Sequence, residues 1–246
     1  YKKGTFSKST IDKAFRYERD VLQGMDKIFT MSEYLRESFI EDFGISGDKI
    51  KTIGTGINLD RIPDVKVKDY EKKNILFIGI DFFRKGGFEL LKSFRIIKES
   101  IPTARLHIIG PKKLDIPAEY ENGVEFHGFL SKNDPNQRKI FEEVIWNSSL
   151  FVMPSLYEPF GIAPLEAMIN EIPCVLTNNG AFPEIVSPGI NGELAKVGDI
   201  NDLADKIKYL LMNPDLLQIM GKEGRRIVLG KFTWDIVVNK LINEIN

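Results

Sequence analysis

The sequence has one cysteine and two histidines among its 246 residues. A single cysteine, Cys174, excludes a disulfide within the chain and suits a reducing compartment, so we expect the cytoplasm. Because Cys174 lies in an apolar stretch, we expect it to be an inert core residue. With so few thiols and imidazoles, and without an Asp-x-Asp pair, the sequence shows no set of metal ligands. It also shows no Ser/His/Asp arrangement for nucleophilic catalysis.

The chain also lacks an excess of charge of either sign. Its 34 basic and 35 acidic residues give a formal net charge of −1. A domain that binds nucleic acid normally carries a basic excess, so we expect no nucleic-acid partner. No apolar run approaches the roughly 18 residues of a membrane span, and we expect no signal peptide. At 43% hydrophobic and 28% charged residues, the composition is that of an ordinary globular protein with a full core.

The chain is organised around the stretch 149–177, where an apolar run, a turn, a short amphipathic segment and a second apolar run follow one another. This pattern predicts a βαβ unit with a helix that begins at about residue 163. Pro164 fits the first turn of that helix, where its missing N–H costs nothing. Ligands of open α/β sheets bind at the carboxyl ends of such strands. The free N–H groups around Gly161 and Ile162 are therefore expected to face a ligand.

Two carboxylates frame this turn, Glu158 before the helix and Glu166 inside it. The segment E-P-F-G-I-A-P-L-E-A, with V-M-P-S before it and I-P-C-V after it, resembles the E-x7-E signature of retaining glycosyltransferases of family 4, the group 1 glycosyltransferases. The resemblance extends from about residue 20 to the end of the chain. It implies an α/β protein of GT-B type, with a Rossmann-like parallel sheet flanked by helices and an incomplete N-terminal Rossmann-like domain.

The domain organisation follows from this resemblance and from the alternation of strand and helix patterns, which is typical of a parallel sheet. Residues 1–60 are expected to be the C-terminal part of the N-terminal, acceptor domain, and 61–73 the linker. Residues 74–230 are expected to form the nucleotide-sugar donor-binding domain, and 231–246 a C-terminal helix that packs back on the N-terminal part. The chain begins at Tyr1 without a methionine. We therefore expect a fragment that is inactive in transfer by itself.

Apolar residues at helical spacing predict which face of each helix meets the core. The first helix is expected over 8–25 and the last from residue 233 onward. The predicted core-facing stripes are Ile11, Phe15, Leu22 and Met25 in the first helix, and Trp234, Val238, Leu241 and Ile245 in the last.

The stretch 79–87, G-I-D-F-F-R-K-G-G, follows a predicted strand and opens a helix. Its glycines allow a close backbone approach, and its adjacent cations can neutralise a diphosphate, although a solvated basic turn is the alternative. It is neither a Walker loop nor a dinucleotide fingerprint, which disfavours a Rossmann oxidoreductase. The resembled family usually has arginine where this chain has Ile80. Lys85 matches the family's lysine, and we expect Arg84 to replace the missing contact.

By the resemblance, Glu166 accepts hydrogen bonds from both ribose hydroxyls, which suits a carboxylate with two oxygens. Glu158 is expected to bind the hydroxyls of the transferred sugar, and the backbone around His127 to hold the base. Glu184, in a turn that also resembles the family, is left out of the site. The predicted catalytic residues are Glu158, Lys85 and Arg84. The predicted donor-binding residues are Gly79, Lys85, Arg84, Gly86, Gly110, His127, Gly128, Phe160, Gly161, Ile162 and Glu166.

The resemblance implies a retaining transfer of a hexose from a nucleoside diphosphate sugar to a hydroxyl acceptor, a saccharide or a lipid. Front-face transfer through an oxocarbenium-like state, with Lys85 and Arg84 stabilising the departing diphosphate, is expected over a double displacement on Glu158. GT-B enzymes generally need no metal, so no cofactor is expected. Membrane contact is expected only through the N-terminal domain. The alternative function is a nucleotide-sugar-binding module without transfer activity, and the base, sugar and acceptor stay open.

Overall fold

The computed structural model describes residues 6–58, 62–65, 67–112 and 114–245 of the chain. Short 3₁₀ helices precede β2, β3 and β5. The helices are α1 (Lys8–Gln23), α2 (Glu33–Glu41), α3 (Gly87–Ser100), α4 (Pro135–Asn147), α5 (Ile162–Ile169), α6 (Phe182–Ile185), α7 (Ile200–Leu211), α8 (Pro214–Lys231) and α9 (Trp234–Ile245). The strands are β1 (Ile28–Thr30), β2 (Ile50–Thr52), β3 (Asn74–Ile78), β4 (Arg105–Ile109), β5 (Val124–Gly128), β6 (Leu150–Met153), β7 (Cys174–Thr177) and β8 (Gly192–Ala195).

The main sheet has six parallel strands in the order β5-β4-β3-β6-β7-β8. Every residue of β6 and β7 is buried, as expected for parallel strands that are covered on both faces. α3 packs against α7, and α5 packs against α8. Because crossovers between parallel strands are right-handed, the helices that follow β3 and β6 lie on opposite faces of the sheet. The predicted parallel sheet flanked by helices is confirmed.

The strand order reverses between β3 and β6. β3 pairs with β4 on one side and with β6 on the other, and the chain runs outward from this point in both directions. The loops that follow β3 and β6 therefore diverge and leave a crevice at the carboxyl edge of the sheet. This crevice is where the predicted site residues of both loops come together.

A smaller unit precedes the main sheet. β1 and β2 form a parallel pair, with Ile28 opposite Ile50. These two side chains, together with Leu22 and Ile45, form a separate buried cluster. Ser32 caps α2 through its side-chain oxygen, which accepts from the N–H of Leu35 at 3.2 Å, as its position before an apolar stripe predicted.

The predicted core-facing stripes of the first and last helices are wrong for most of their residues. In α1, Ile11 is 55% exposed and only Leu22 is buried, while Phe15 stacks on Phe43 with ring centroids 4.7 Å apart. In α9 the buried side chain is Val237, and the predicted stripe residues Trp234, Val238 and Ile245 are at least 44% exposed. The periodicity located both helices but not their contacts, because neither helix contributes a residue to the main buried cluster of the described part of the chain.

The start of α9 is fixed to the end of the smaller unit. The N–H of Ile57 donates to the carbonyl oxygen of Phe232 at 2.9 Å, and Trp234 Nε1 donates to Asn58 Oδ1 at 3.3 Å. A side chain at position 56 would overlap the ring of Trp234, so Gly56 allows this contact. The proposed domain boundaries stay a prediction. Residues 1–5, 59–61, 66 and 246, which those boundaries include, lie outside the described residues.

The segment before β3, predicted as part of a linker, is attached to the main sheet unit. Lys68 is 8% exposed, and its Nζ donates to the carbonyl oxygens of Ile145 and Trp146 at the end of α4, both at 3.0 Å. Tyr70 is also buried and donates to the carbonyl oxygen of Glu171 at 2.7 Å. Burial lowers the pKa of Lys68 to about 8. Within the described residues, no helix combines the length and apolar character needed to cross a membrane.

Stability should depend on the ionisation of Lys68. Its pKa is about 8 in the folded chain against 10.5 for the free side chain, so the unfolded chain binds more protons between these pH values. The free energy of unfolding should therefore rise with pH by up to about 3 kcal/mol through this residue. Lys68→Met removes this pH-dependent contribution to the free energy of unfolding. In urea denaturation of both proteins at about pH 7.5 and about pH 10, the free energy of unfolding of the wild type should rise relative to that of the variant as pH rises.

Lys222→Met is the matched control, because Lys222 is exposed in α8 and is not among the groups that shift the pKa of Lys68. The difference between this control and the wild type should not change over that pH range. A difference between Lys68→Met and the wild type that is equally constant would contradict the lowered pKa.

Candidate active site

Two loops meet in close backbone contact at the crevice. The first, residues 79–86, follows β3, and the second, residues 154–161, follows β6. Gly86 has a φ of 73°, and a Cβ at this position would overlap the carbonyl oxygen of Pro154. The N–H of Leu156 donates to the carbonyl oxygen of Arg84 at 2.9 Å. The glycine thus fixes the loop that carries the cations against the loop that carries Glu158.

The three predicted catalytic residues lie together. Arg84 Nη1 is 3.4 Å and Lys85 Nζ 3.3 Å from the same oxygen, Oε2 of Glu158, which is 8% exposed. Arg84 is further positioned by the carbonyl oxygen of Tyr157 at 2.9 Å and by the carboxylate of Asp81 at 3.2 Å. A guanidinium has five N–H donors and an ammonium three, so both cations can also bind an anion. The arrangement suits a phosphate group beside Glu158.

The helix α5 begins directly after this loop, at Ile162, one residue before the predicted start. Its N-cap is Gly161, which has a φ of 98° and no side chain to cap the first turn. A Cβ there would come within 2.8 Å of the ring of Phe182. Phe160 is buried with its ring 6.0 Å from that of Phe232, so its backbone alone can serve the predicted donor cradle. An uncapped helix start attracts anions through its N–H groups.

Glu166, the second predicted carboxylate, is 9% exposed and forms an ion pair that the sequence did not reveal. Lys132 Nζ lies 2.6 Å from Glu166 Oε1 and 4.7 Å from the ring centroid of Phe141. Lys132 belongs to the loop after β5, at the same carboxyl edge of the sheet. The sequence indicated only that Lys132 follows a predicted strand. Its pairing with Glu166 could not be predicted without the order of the strands in the sheet.

The predicted glycines at the ends of β3, β4 and β5 are brought together by backbone hydrogen bonds. The N–H of Gly110 donates to the carbonyl oxygen of Gly128, and the N–H of Gly79 to that of Ile109, both at 2.9 Å. Gly110 has a φ of 129°, and a Cβ there would overlap the carbonyl oxygen of Gly79. The three glycines leave an edge without side chains beside the cation loop.

His127, also predicted in the donor site, directs its ring toward the neighbouring strand. Its Nε2 lies 3.1 Å from His107 Nδ1, and its Nδ1 lies 3.8 Å from Glu125 Oε1. Glu125 Oε2 is in turn 3.4 Å from His107 Nδ1. Burial lowers the pKa of both imidazoles below its usual value. The sequence showed no set of metal ligands because these three residues meet only through the pairing of β4 with β5.

The N-terminus of α2 contacts the same site. Ser32 Oγ donates to the carbonyl oxygen of Pro159 at 3.0 Å. The carboxylate of Glu184 accepts from the N–H groups of Glu33 and Tyr34, both at 2.9 Å. Glu184 therefore satisfies the free N–H groups of a helix in the smaller unit, which is a structural function. These contacts join the smaller unit to the loop that carries Glu158, through Pro159, and to α6, through Glu184.

Residues 59–227, more than half of the chain, match the family model described as glycosyl transferases group 1. The chain belongs to this family. The capsular polysaccharide biosynthesis glycosyltransferase CapM of Staphylococcus aureus is 29% identical over 239 residues, 89% of this chain and 61% of CapM. The chain spans about three fifths of the length of CapM and of two further curated relatives.

Solved structures of glycosyltransferases share the fold. A mutant of S. aureus TarM in complex with Fondaparinux, alpha-GlcNAc-glycerol and UDP matches 100% of this chain and 48% of its own, with a TM-score of 0.81 and 21% identity. Anabaena HepE in complex with UDP and glucose matches 95% of this chain and 66% of its own, with a TM-score of 0.78 and 17% identity. The predicted GT-B fold is thereby confirmed.

The contact of Gly86 with Pro154 should make position 86 intolerant of a side chain. Gly86→Ala adds a Cβ at a positive φ and against a backbone oxygen, so it should lower the free energy of unfolding by at least about 2 kcal/mol. Gly230→Ala is the matched control, because Gly230 is exposed in α8 with nothing within 4 Å of an added Cβ. In the control, the free energy of unfolding should rise by up to about 1 kcal/mol. Urea denaturation measures both, and equal effects would contradict the close contact.

Proposed function

We propose that the crevice between β3 and β6 binds a nucleoside diphosphate sugar, and that the protein transfers the hexose to a hydroxyl acceptor with retention of configuration. The observation that carries this proposal is the convergence of Arg84 and Lys85 on buried Glu158. Two fold neighbours, TarM and HepE, have been solved with UDP, which supports a nucleotide ligand. The comparisons give no support to the alternative of a binding module without transfer activity.

The diphosphate binds between the cation loop and the start of α5. Lys85 and Arg84 donate charge-assisted hydrogen bonds to it, and the N–H groups at Gly161 and Ile162 add the positive end of the helix dipole. As the glycosidic bond breaks, negative charge develops on the leaving diphosphate, and these fixed donors stabilise it. No metal is needed for this stabilisation in our proposal, because the cations already supply positive charge.

Glu158 orients the hexose. Its Oε2 holds both cations, and a carboxylate has a second oxygen that can accept from a sugar hydroxyl. Sharing its negative charge with two cations makes Glu158 a poor nucleophile. This supports front-face transfer, in which the departing diphosphate helps to deprotonate the acceptor, over a double displacement.

Glu166 binds the ribose diol in exchange for Lys132. Without ligand, Lys132 neutralises the buried carboxylate at 2.6 Å, which avoids the cost of an unpaired buried charge. Lys132 has a partly exposed side chain, so it can move aside when the two hydroxyls arrive. The inactivity in transfer that we expect of this chain by itself stays a prediction.

Calorimetric titration with UDP, GDP and ADP tests the donor site. One nucleotide should bind in the micromolar range, and Lys85→Ala should weaken it at least tenfold, the loss of about one charge-assisted hydrogen bond. Glu166→Gln should weaken it less, because an amide keeps one acceptor oxygen for the diol. Lys222→Ala, at an exposed position of α8, is the control and should bind like the wild type. Equal affinity of all four proteins would contradict the assignment of this crevice.

Retention is tested on hydrolysis of the donor, in which water takes the place of the acceptor and a free sugar is released. With the nucleotide sugar of the preferred base, proton NMR recorded before mutarotation should show the anomer of the donor itself. Release of the opposite anomer would contradict front-face transfer while leaving the nucleotide site intact.

A further inference from the structure

Outside the crevice, three ligand-type side chains meet on one face of the sheet edge. His107 lies on β4, and Glu125 and His127 lie on β5; we refer to them as the β4–β5 cluster. One ligand atom from each of the three lies within 4.8 Å of the other two. The two histidines are the whole histidine content of the chain. Their convergence with a carboxylate is independent of the donor site and of its proposed function.

A local irregularity of the sheet produces this convergence. His107 pairs with Glu125 and Ile108 with Phe126, but Ile109 pairs with Gly128. His127 is therefore the extra residue of a β-bulge on the edge strand. Bulges re-aim a side chain relative to the regular alternation. Here the ring of His127 lies against that of His107, with centroids 5.4 Å apart and an interplanar angle of 24°.

Two of the interatomic distances are close to those between ligands of one small ion. Two nitrogens bound to Zn²⁺ at about 2.0–2.1 Å in tetrahedral geometry are about 3.3–3.4 Å apart. His107 Nδ1 and His127 Nε2 are separated by 3.1 Å, and His107 Nδ1 and Glu125 Oε2 by 3.4 Å. One ligand atom from each residue lies within 4.8 Å of the other two, so rotation of the exposed Glu125 side chain can bring a carboxylate oxygen toward both nitrogens. The neighbouring strands already hold the backbone in place.

We propose that the β4–β5 cluster binds one Zn²⁺ ion through His107 Nδ1, His127 Nε2 and a carboxylate oxygen of Glu125. Two imidazoles and one carboxylate are a common protein ligand set for zinc with one position left open. Mg²⁺ and Ca²⁺ prefer oxygen ligands and fit this set poorly. The side chains of His107 and His127 are 14% and 11% exposed, whereas that of Glu125 is 60% exposed. An ion can therefore enter from the side of Glu125, and water completes its coordination.

The ion connects β4 to β5, the edge strand of the sheet. It binds next to the hydrogen bond from Gly110 to Gly128, and the loop that carries Lys132 leaves the sheet directly after Gly128. A metal that bridges the two strands makes this edge harder to open. The ion stabilises the fold and takes no part in the transfer step.

The test uses the full chain without an affinity tag, stripped with a chelator and titrated with ZnCl₂ by calorimetry. We expect a stoichiometry of one, a dissociation constant in the micromolar range or below, and a rise in the thermal unfolding midpoint with zinc. Co²⁺ in place of Zn²⁺ should give visible absorption bands of a four-coordinate site. MgCl₂ should give neither binding heat nor a stability change.

Three substitutions identify the ligands. His107→Gln, His127→Gln and Glu125→Gln keep a polar side chain, and each should weaken zinc binding at least tenfold. Asp205→Asn, at an exposed carboxylate of α7, is the control and should bind zinc like the wild type. Circular dichroism of the metal-free variants checks that they fold. The proposal is overturned if zinc binds no tighter than magnesium, or if binding survives His107→Gln and His127→Gln. In that case the cluster is a hydrogen-bonded trio only.

Discussion

The site depends on one backbone contact, the packing of Gly86 against the carbonyl group of Pro154. This contact sets the distance between the two loops at the point where the strand order reverses. A second glycine closes the other side, because a Cβ at Gly180 would overlap the carbonyl oxygen of Glu158. The hydroxyl of Thr177 donates to the carbonyl oxygen of Ser155 at 2.7 Å. The loop that carries Glu158 is thus held from both neighbouring strands, so its carboxylate is positioned before any ligand arrives.

The sequence predicted those parts of the structure that are encoded within short segments. Strand and helix patterns gave the parallel sheet, and the spacing around Glu158 and the cations Arg84 and Lys85 gave residues that the structure brings together. It did not reveal the pairing of Lys132 with Glu166, because these residues are 34 positions apart, in the loop after β5 and in α5, and meet only at one edge of the sheet. The β4–β5 cluster was equally hidden, because it depends on strand register and a bulge. Such features depend on tertiary contacts, which the hydrophobic periodicity of the sequence does not predict.

The wrong predictions have a related cause. Apolar stripes in α1 and α9 were expected to face a core, but both helices lie away from the main sheet and stay largely exposed along the predicted face. Hydrophobic periodicity predicts that a helix has an apolar face, but which element packs against that face is known only from the tertiary structure. By contrast, α2 has no buried residue of its own, yet Ser32 fixes its N-terminus to the loop that carries Glu158 and Glu184 fixes it to α6.

The charges in the crevice balance one another. Arg84, Lys85 and Lys132 are matched by three carboxylates, those of Asp81, Glu158 and Glu166, within ion-pair distance. A ligand at some distance therefore meets little net field, and a formal net charge of −1 on the whole chain adds no attraction for an anion. The positive charge becomes available only at short range, where an anion can reach the remaining N–H donors of Arg84 and Lys85. For the nucleotide that we propose as the ligand, the rate of encounter should accordingly be set by diffusion and orientation and depend only weakly on ionic strength.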